Sequence, residues 1–165
     1  MSRSLAAMMI VIGASGIATA DFAAPRHVPE RSPMAMRAAN LTTAAAKAAM
    51  AGNANEALRL ADGAVKANPE DGWGYYDRGE ALQSLGRTTE AVAAYRESEE
   101  HFSNDEAWSK SIALYGEANA LAEGGHCNQA RVAYEHYASF VESADPSSAE
   151  LARRYAKECV TRSQS

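Results

Sequence analysis

MAGNANEALRLA (residues 50–61), SLGRTTEAVAAY (84–95) and EGGHCNQARVAY (123–134) are three versions of one phrase. Each ends a helix-like segment with glycine and places alanine five residues later: Gly52 and Ala57, Gly86 and Ala91, Gly125 and Ala130. The first two copies lie 34 residues apart, and the third follows after 39. Glycine tolerates the left-handed backbone that closes a helix, and alanine lets the next helix cross close by. Two helices repeated every 34 residues mark a solenoid, because one pair alone cannot bury its apolar face and must lean on the next.

Composition points the same way. Hydrophobic residues make up 47% of the 165, yet much of that share is alanine, the strongest helix former. The strand-favouring residues Val, Ile and Phe are sparse. A formal charge of −5 lacks the basic footprint that nucleic acid or anionic lipid requires. Neither nucleic acid nor a membrane, beyond a leader segment, is expected as a partner.

The first twenty residues, MSRSLAAMMIVIGASGIATA, have the form of such a leader. Arg3 precedes an apolar run from Leu5 to Gly13, and a small-residue stretch ends at Ala18-Thr19-Ala20. Residues 1–20 are therefore expected to be a secretory signal peptide cut before Asp21. The rival is an uncleaved anchor, but the run is shorter than the roughly 20 residues a membrane span needs. Residues 21–31, DFAAPRHVPER, carry two prolines and no apolar period, and read as a flexible tether. Helix is expected from Ser32-Pro33, a cap followed by a proline at the first helical position.

Residues 32–145 then divide into three helical pairs, about 38–71, 72–105 and 106–144. The middle pair carries Tyr75, Gly79, Leu82, Gly86, Ala91 and Tyr95. The first has Leu41, Ala45, Gly52, Ala57, Ala64 and Pro69, with Ala61 where the middle pair has Tyr95. The third has Leu114, Ala118, Leu121, Gly125, Ala130 and Tyr134, with Tyr137 where a small residue is expected. In these positions the chain resembles the tetratricopeptide-repeat (TPR) family. The resemblance implies an all-α superhelix of about three helical hairpins plus a C-terminal capping helix. Residues 106–110 should lengthen the first helix of the third pair, with Asn104 or Asp105 as its cap. In the capping segment, 146–165, Asp145 can cap, Ser147 and Glu150 have capping-box spacing, and Leu151, Tyr155, Cys159 and Arg162 recur on one face.

The resemblance also implies a site. First helices of successive units line a concave groove that receives extended peptides or partner helices. The matching positions here are Thr42 and Ala46, then Trp73, Tyr76, Asp77 and Glu80, then Ile112, Tyr115, Asn119 and Glu123. Trp108 joins Ile112 and Tyr115 on one helical face. These rings either anchor a partner or pack between units. A carboxylate clamp of lysine, asparagine and arginine, found in one subclass, is replaced by Thr42, Ala46 and Asp77. Asp77, Glu80 and Glu123 favour a neutral-to-basic partner with apolar side chains. The function expected is a protein-interaction adaptor of the bacterial cell envelope, periplasmic or extracellular. The alternatives are a homo-oligomeric structural protein and a thiol-dependent enzyme.

The enzyme alternative rests on Cys127, beside His126. A nucleophilic thiol needs a base and an orienting partner. His126 is the adjoining residue, and His136, nine along the same helix, sits about half a rotation away. Cys127 and Cys159 lie 17 residues before and 15 after Ala144, on helices expected to run antiparallel. In an exported chain that placement favours a disulfide over two free thiols. No paired carboxylates, phosphate loop or zinc-ligand spacing appears, so no catalytic residue, metal or cofactor is expected.

Overall fold

A computed structural model of the chain describes residues 32–162. They form seven helices: α1 (Pro33–Met50), α2 (Ala54–Ala67), α3 (Gly72–Ser84), α4 (Thr88–His101), α5 (Ala107–Glu123), α6 (Cys127–Val141) and α7 (Pro146–Arg162). No strand occurs among the described residues. The signal peptide, the tether and the last three residues expected from the sequence lie outside them. Each helix packs on its neighbour in sequence, while α1 also touches α3 and α3 touches α5. The result is an all-α solenoid, with α1, α3 and α5 on one layer and α2, α4 and α6 on the other.

The repeated phrase forms the three hairpin turns. Gly52, Gly86 and Gly125 take φ of +76°, +70° and +79°, the left-handed region. The following amides of Asn53, Arg87 and His126 reach back to the carbonyls of Ala48, Leu82 and Leu121 at 2.8–2.9 Å. Three orphan carbonyls are thereby satisfied by one recurring closure.

The core is mostly alanine, with few large residues among it. Tyr95 of α4, 2% exposed, is the chief of these. Its ring lies against the bare backbone of Gly79 on α3 and Gly116 on α5. A Cβ at Gly79 would meet the ring at 2.8 Å, and one at Gly116 at 2.6 Å. Its hydroxyl donates to Gln83 Oε1 at 2.9 Å. One aromatic side chain thus spans both joints of the middle unit. Gly79 matched the sequence expectation, whereas Gly116 escaped it, because Leu114 and Ala118 fixed the reading of that helix.

Capping departs from expectation in two places. At the start of the third pair Ser103 is the cap: its backbone amide and hydroxyl both donate to the Glu106 carboxylate. A single 3-10 turn, Asn104–Glu106, leads from it into α5. The cap is thus Ser103, ahead of the position expected. At α7 Asp145 caps, as the sequence indicates, by accepting from the amide and hydroxyl of Ser148, and the Ser147–Glu150 spacing forms no box.

The buried stripe of α7 is also not the expected one. Ala149, Ala152, Ala156 and Cys159 face α6, while Leu151 is 37% exposed and Tyr155 half-buried. The helices meet closely, and only small side chains fit the contact line. Cys127 at the start of α6 is disulfide-bonded to Cys159 near the end of α7, with Cα atoms 5.2 Å apart.

Gly116→Ala should lower the urea midpoint by an amount equivalent to about 1–3 kcal/mol, because the new methyl has no room. Tyr95→Ala should cost about 3–5 kcal/mol. Midpoints equal to the parent's would refute the wedge. Cys159→Ser should cost about 3–4 kcal/mol by releasing the 32-residue separation the bond spans. Adding reductant should shift the parent's midpoint to match and leave the variant's unchanged.

Candidate functional site

Three helices of one layer bound a depression of about 720 Å³. α1 contributes Thr42, Ala46 and Met50; α3 contributes Trp73, Tyr76, Asp77 and Glu80; α5 contributes Trp108 and Ile112. Eight of the eleven groove residues expected from the sequence line this space. Tyr115, Asn119 and Glu123 lie elsewhere, in a second depression of about 580 Å³ between α5, α6 and α7. There the Tyr115 ring contacts Tyr134 and Tyr137, at centroid distances of 6.2 and 5.2 Å. Asn119 Oδ1 accepts from the Tyr134 hydroxyl at 2.6 Å. Both residues are therefore engaged in joining α5 to α6. The two ends of α5 border different spaces, and the aromatic set divides accordingly.

The first depression has an aromatic wall. Trp73 stands edge-on to Phe102 at 5.3 Å and to Tyr76 at 5.8 Å, and Trp108 leans toward it at 6.0 Å. Phe102 is buried, so Trp73 is held from behind. Trp108 is 69% exposed, a large apolar surface given to solvent at the start of α5. The longer α5 is what brings it there: the 3-10 turn closed by Ser103 and Glu106 starts the helix early.

Beside this wall lies a buried charge. Asp77 is 7% exposed, and its Oδ2 has no hydrogen-bond partner among the described residues. Burial, and then the negative charges of Glu80 and Asp71, raise its carboxyl from the ordinary 3.8 to about 7. Glu80 accepts a hydrogen bond from the Tyr76 hydroxyl at 3.1 Å. Burial, aided by Glu80, pushes the Tyr76 phenol well above its usual range. The lining contains two carboxylates and no cationic side chain. The sequence marked Asp77 as groove-facing but carried no sign of its burial.

The histidine–cysteine pair offers no thiol, since both sulfurs are spent in the disulfide. His126 is exposed in the turn, and His136 faces another side of α6 beside Arg96 and Glu117. His101 stacks on Tyr75 at 4.8 Å. Among the described residues, no group of three or more His, Cys, Asp or Glu is placed to hold a metal ion. No helix among them is long and apolar enough to cross a membrane.

A stack of helical hairpins with an open face of this composition defines a class, the tetratricopeptide-like solenoid. Stacked repeats of this kind build extended concave surfaces. Within that class the chain belongs to the bacterial transcriptional activator domain family, whose model matches residues 15–114. The match takes in α1 to α4 and the first part of α5, leaving α6, α7 and the disulfide beyond it. Among solved structures the chain is similar to one described as the "TPR2B-domain:pHsp70-complex of yeast Sti1". The two are 19% identical with a TM-score of 0.67, over 77% of this chain and 98% of that one. At that identity the likeness is one of fold. No curated protein matches the chain significantly.

The carboxyl of Asp77 links stability to pH. Its folded value lies above its unfolded one, so the folded state keeps a proton the unfolded chain has released. Stability should fall as pH rises from about 4 to about 7, with the whole loss present above that. Asp77→Asn should remove this dependence and exceed the parent's stability at pH 8 by about 1–4 kcal/mol, with little gain at pH 4. Urea unfolding at the two pH values reads it; parallel curves would show that Asp77 is not strained.

Proposed function

We propose that this chain is an exported protein-interaction adaptor of the bacterial cell envelope. It holds an extended peptide or a helix of a partner protein in the depression between α1, α3 and α5. The observation that carries the reading is Trp108, largely exposed at the rim of a depression walled by Trp73 and Tyr76. Exposed aromatic anchors beside a concave face are the usual centres of binding energy. Export is supported by the leader-like residues 1–20 and by the Cys127–Cys159 bond, since disulfides persist outside the reducing cytoplasm.

A second reading has its own support. The family's description favours a cytoplasmic role in transcription, with the same face receiving another protein. The two differ in compartment. Residues 1–31 fused to a phosphatase that is active only outside the cytoplasm should give activity under the first reading and none under the second. Alkylation in intact cells should likewise leave both cysteines unlabelled if the chain is exported. The groove itself is tested by Trp108→Ala, a surface change expected to alter stability by about 0.5 kcal/mol or less. It should abolish capture of peptides selected from a displayed library; undiminished capture would move the site elsewhere.

A further inference from the structure

Resting on the peptide-groove reading, we infer that the depression between α1, α3 and α5 is a seat for one lysine or arginine side chain. That side chain belongs to an extended segment of a partner protein, with Asp77 as counter-ion and the faces of Trp73 and Trp108 as walls.

Three observations converge on it. Asp77 lines the depression, is 7% exposed, and leaves its buried Oδ2 without a donor among the described residues. A buried unpaired carboxylate is costly, and a cationic donor is the group that relieves it. The lining supplies no such donor: its other charged group is Glu80, a second anion, and α1 contributes only Thr, Ala and Met side chains. Beside the carboxylate stand two indole rings 6.0 Å apart, one of them largely exposed. Aromatic faces attract ammonium and guanidinium groups, and more strongly when water is excluded. A long aliphatic stem ending in a cation suits such a place: the stem lies on the rings and the head meets the acid. An acidic segment would meet like charge at both carboxylates.

Occupation also carries a proton signature. The groups around Asp77 are Glu80, Asp71 and Tyr76 on α3 or at its cap, and Tyr95 from α4; α1 and the nearby part of α5 present none that titrate. An arriving cation favours the ionised acid, so binding below neutral pH expels a proton and affinity should rise from pH 5.5 to 8.

The test uses the full chain and a random twelve-residue displayed library as probe. Selected peptides should carry lysine or arginine next to an apolar residue. Replacing that lysine by norleucine, or Asp77 by Asn, should each weaken binding by about thirtyfold or more, and both together by little further. Asp77→Asn is expected to fold at least as well as the parent, so loss of binding cannot be loss of structure. Binders that need Trp108 but lack a cation, or ignore Asp77→Asn, would overturn this inference and leave the groove reading standing. Binders that ignore Trp108→Ala, or no binders at all, would overturn both. Tighter binding after Arg26→Gln and Arg31→Gln would assign the seat to this chain's own segment, and a cation-dependent dimer to a second copy; either overturns the partner assignment.

Discussion

The contact of the Tyr95 ring with Gly79 and Gly116 is the constraint on which the array depends. An alanine core releases little free energy per residue, so the few large buried side chains carry a disproportionate share. Tyr95 can serve two joints at once only because both neighbours lack a Cβ. In the first pair the equivalent residue is Ala61, fully buried but small, and that joint relies on close helix approach instead. In the third pair Tyr134 takes the place, and Tyr115, Tyr137 and Tyr155 gather around it or beside it. The spacing of inner helices follows from these choices, and the two depressions follow from the spacing.

The first depression departs from the economy of the rest. Two other buried polar groups are answered: Ser98 donates to the Gly72 carbonyl at 2.9 Å, and Glu117, 8% exposed, pairs with Arg96 at 2.6 Å. Asp77 Oδ2 has no such answer among the described residues, and Asp77 lines the depression. Groups kept at a cost to folding concentrate where a protein does its work, because the energy withheld from the fold is released on binding.

Much of the architecture was legible in the sequence because its signals are local. A glycine that must be left-handed, and an alanine five residues on, repeat visibly; so do the apolar positions that lock one pair to the next. What was not legible depends on distances between helices. In α7 the larger residues Leu151 and Tyr155 suggested the inner face, yet close packing on α6 selects Ala149, Ala152 and Ala156. Gly116 looked like an ordinary interruption of a helix until the ring of Tyr95 was placed beside it. Tyr115 and Asn119 shared a face with Trp108 and Ile112 in sequence, but α5 is long enough that its two halves border different spaces. The depression that Asp77 lines belongs to no single segment, since three helices bound it.

The disulfide gives the solenoid a direction. In a stack held by nearest-neighbour contacts, opening starts at the ends and moves inward. At the C-terminal end α6 and α7 are tied across their far tips, so neither can peel away alone. At the other end α1 leans on α2 and α3 through small side chains such as Ala38 and Ala45, with no covalent tie. Breathing is thereby steered toward α1. That helix is also one wall of the space around Asp77, so opening of the array and access to that space involve the same element.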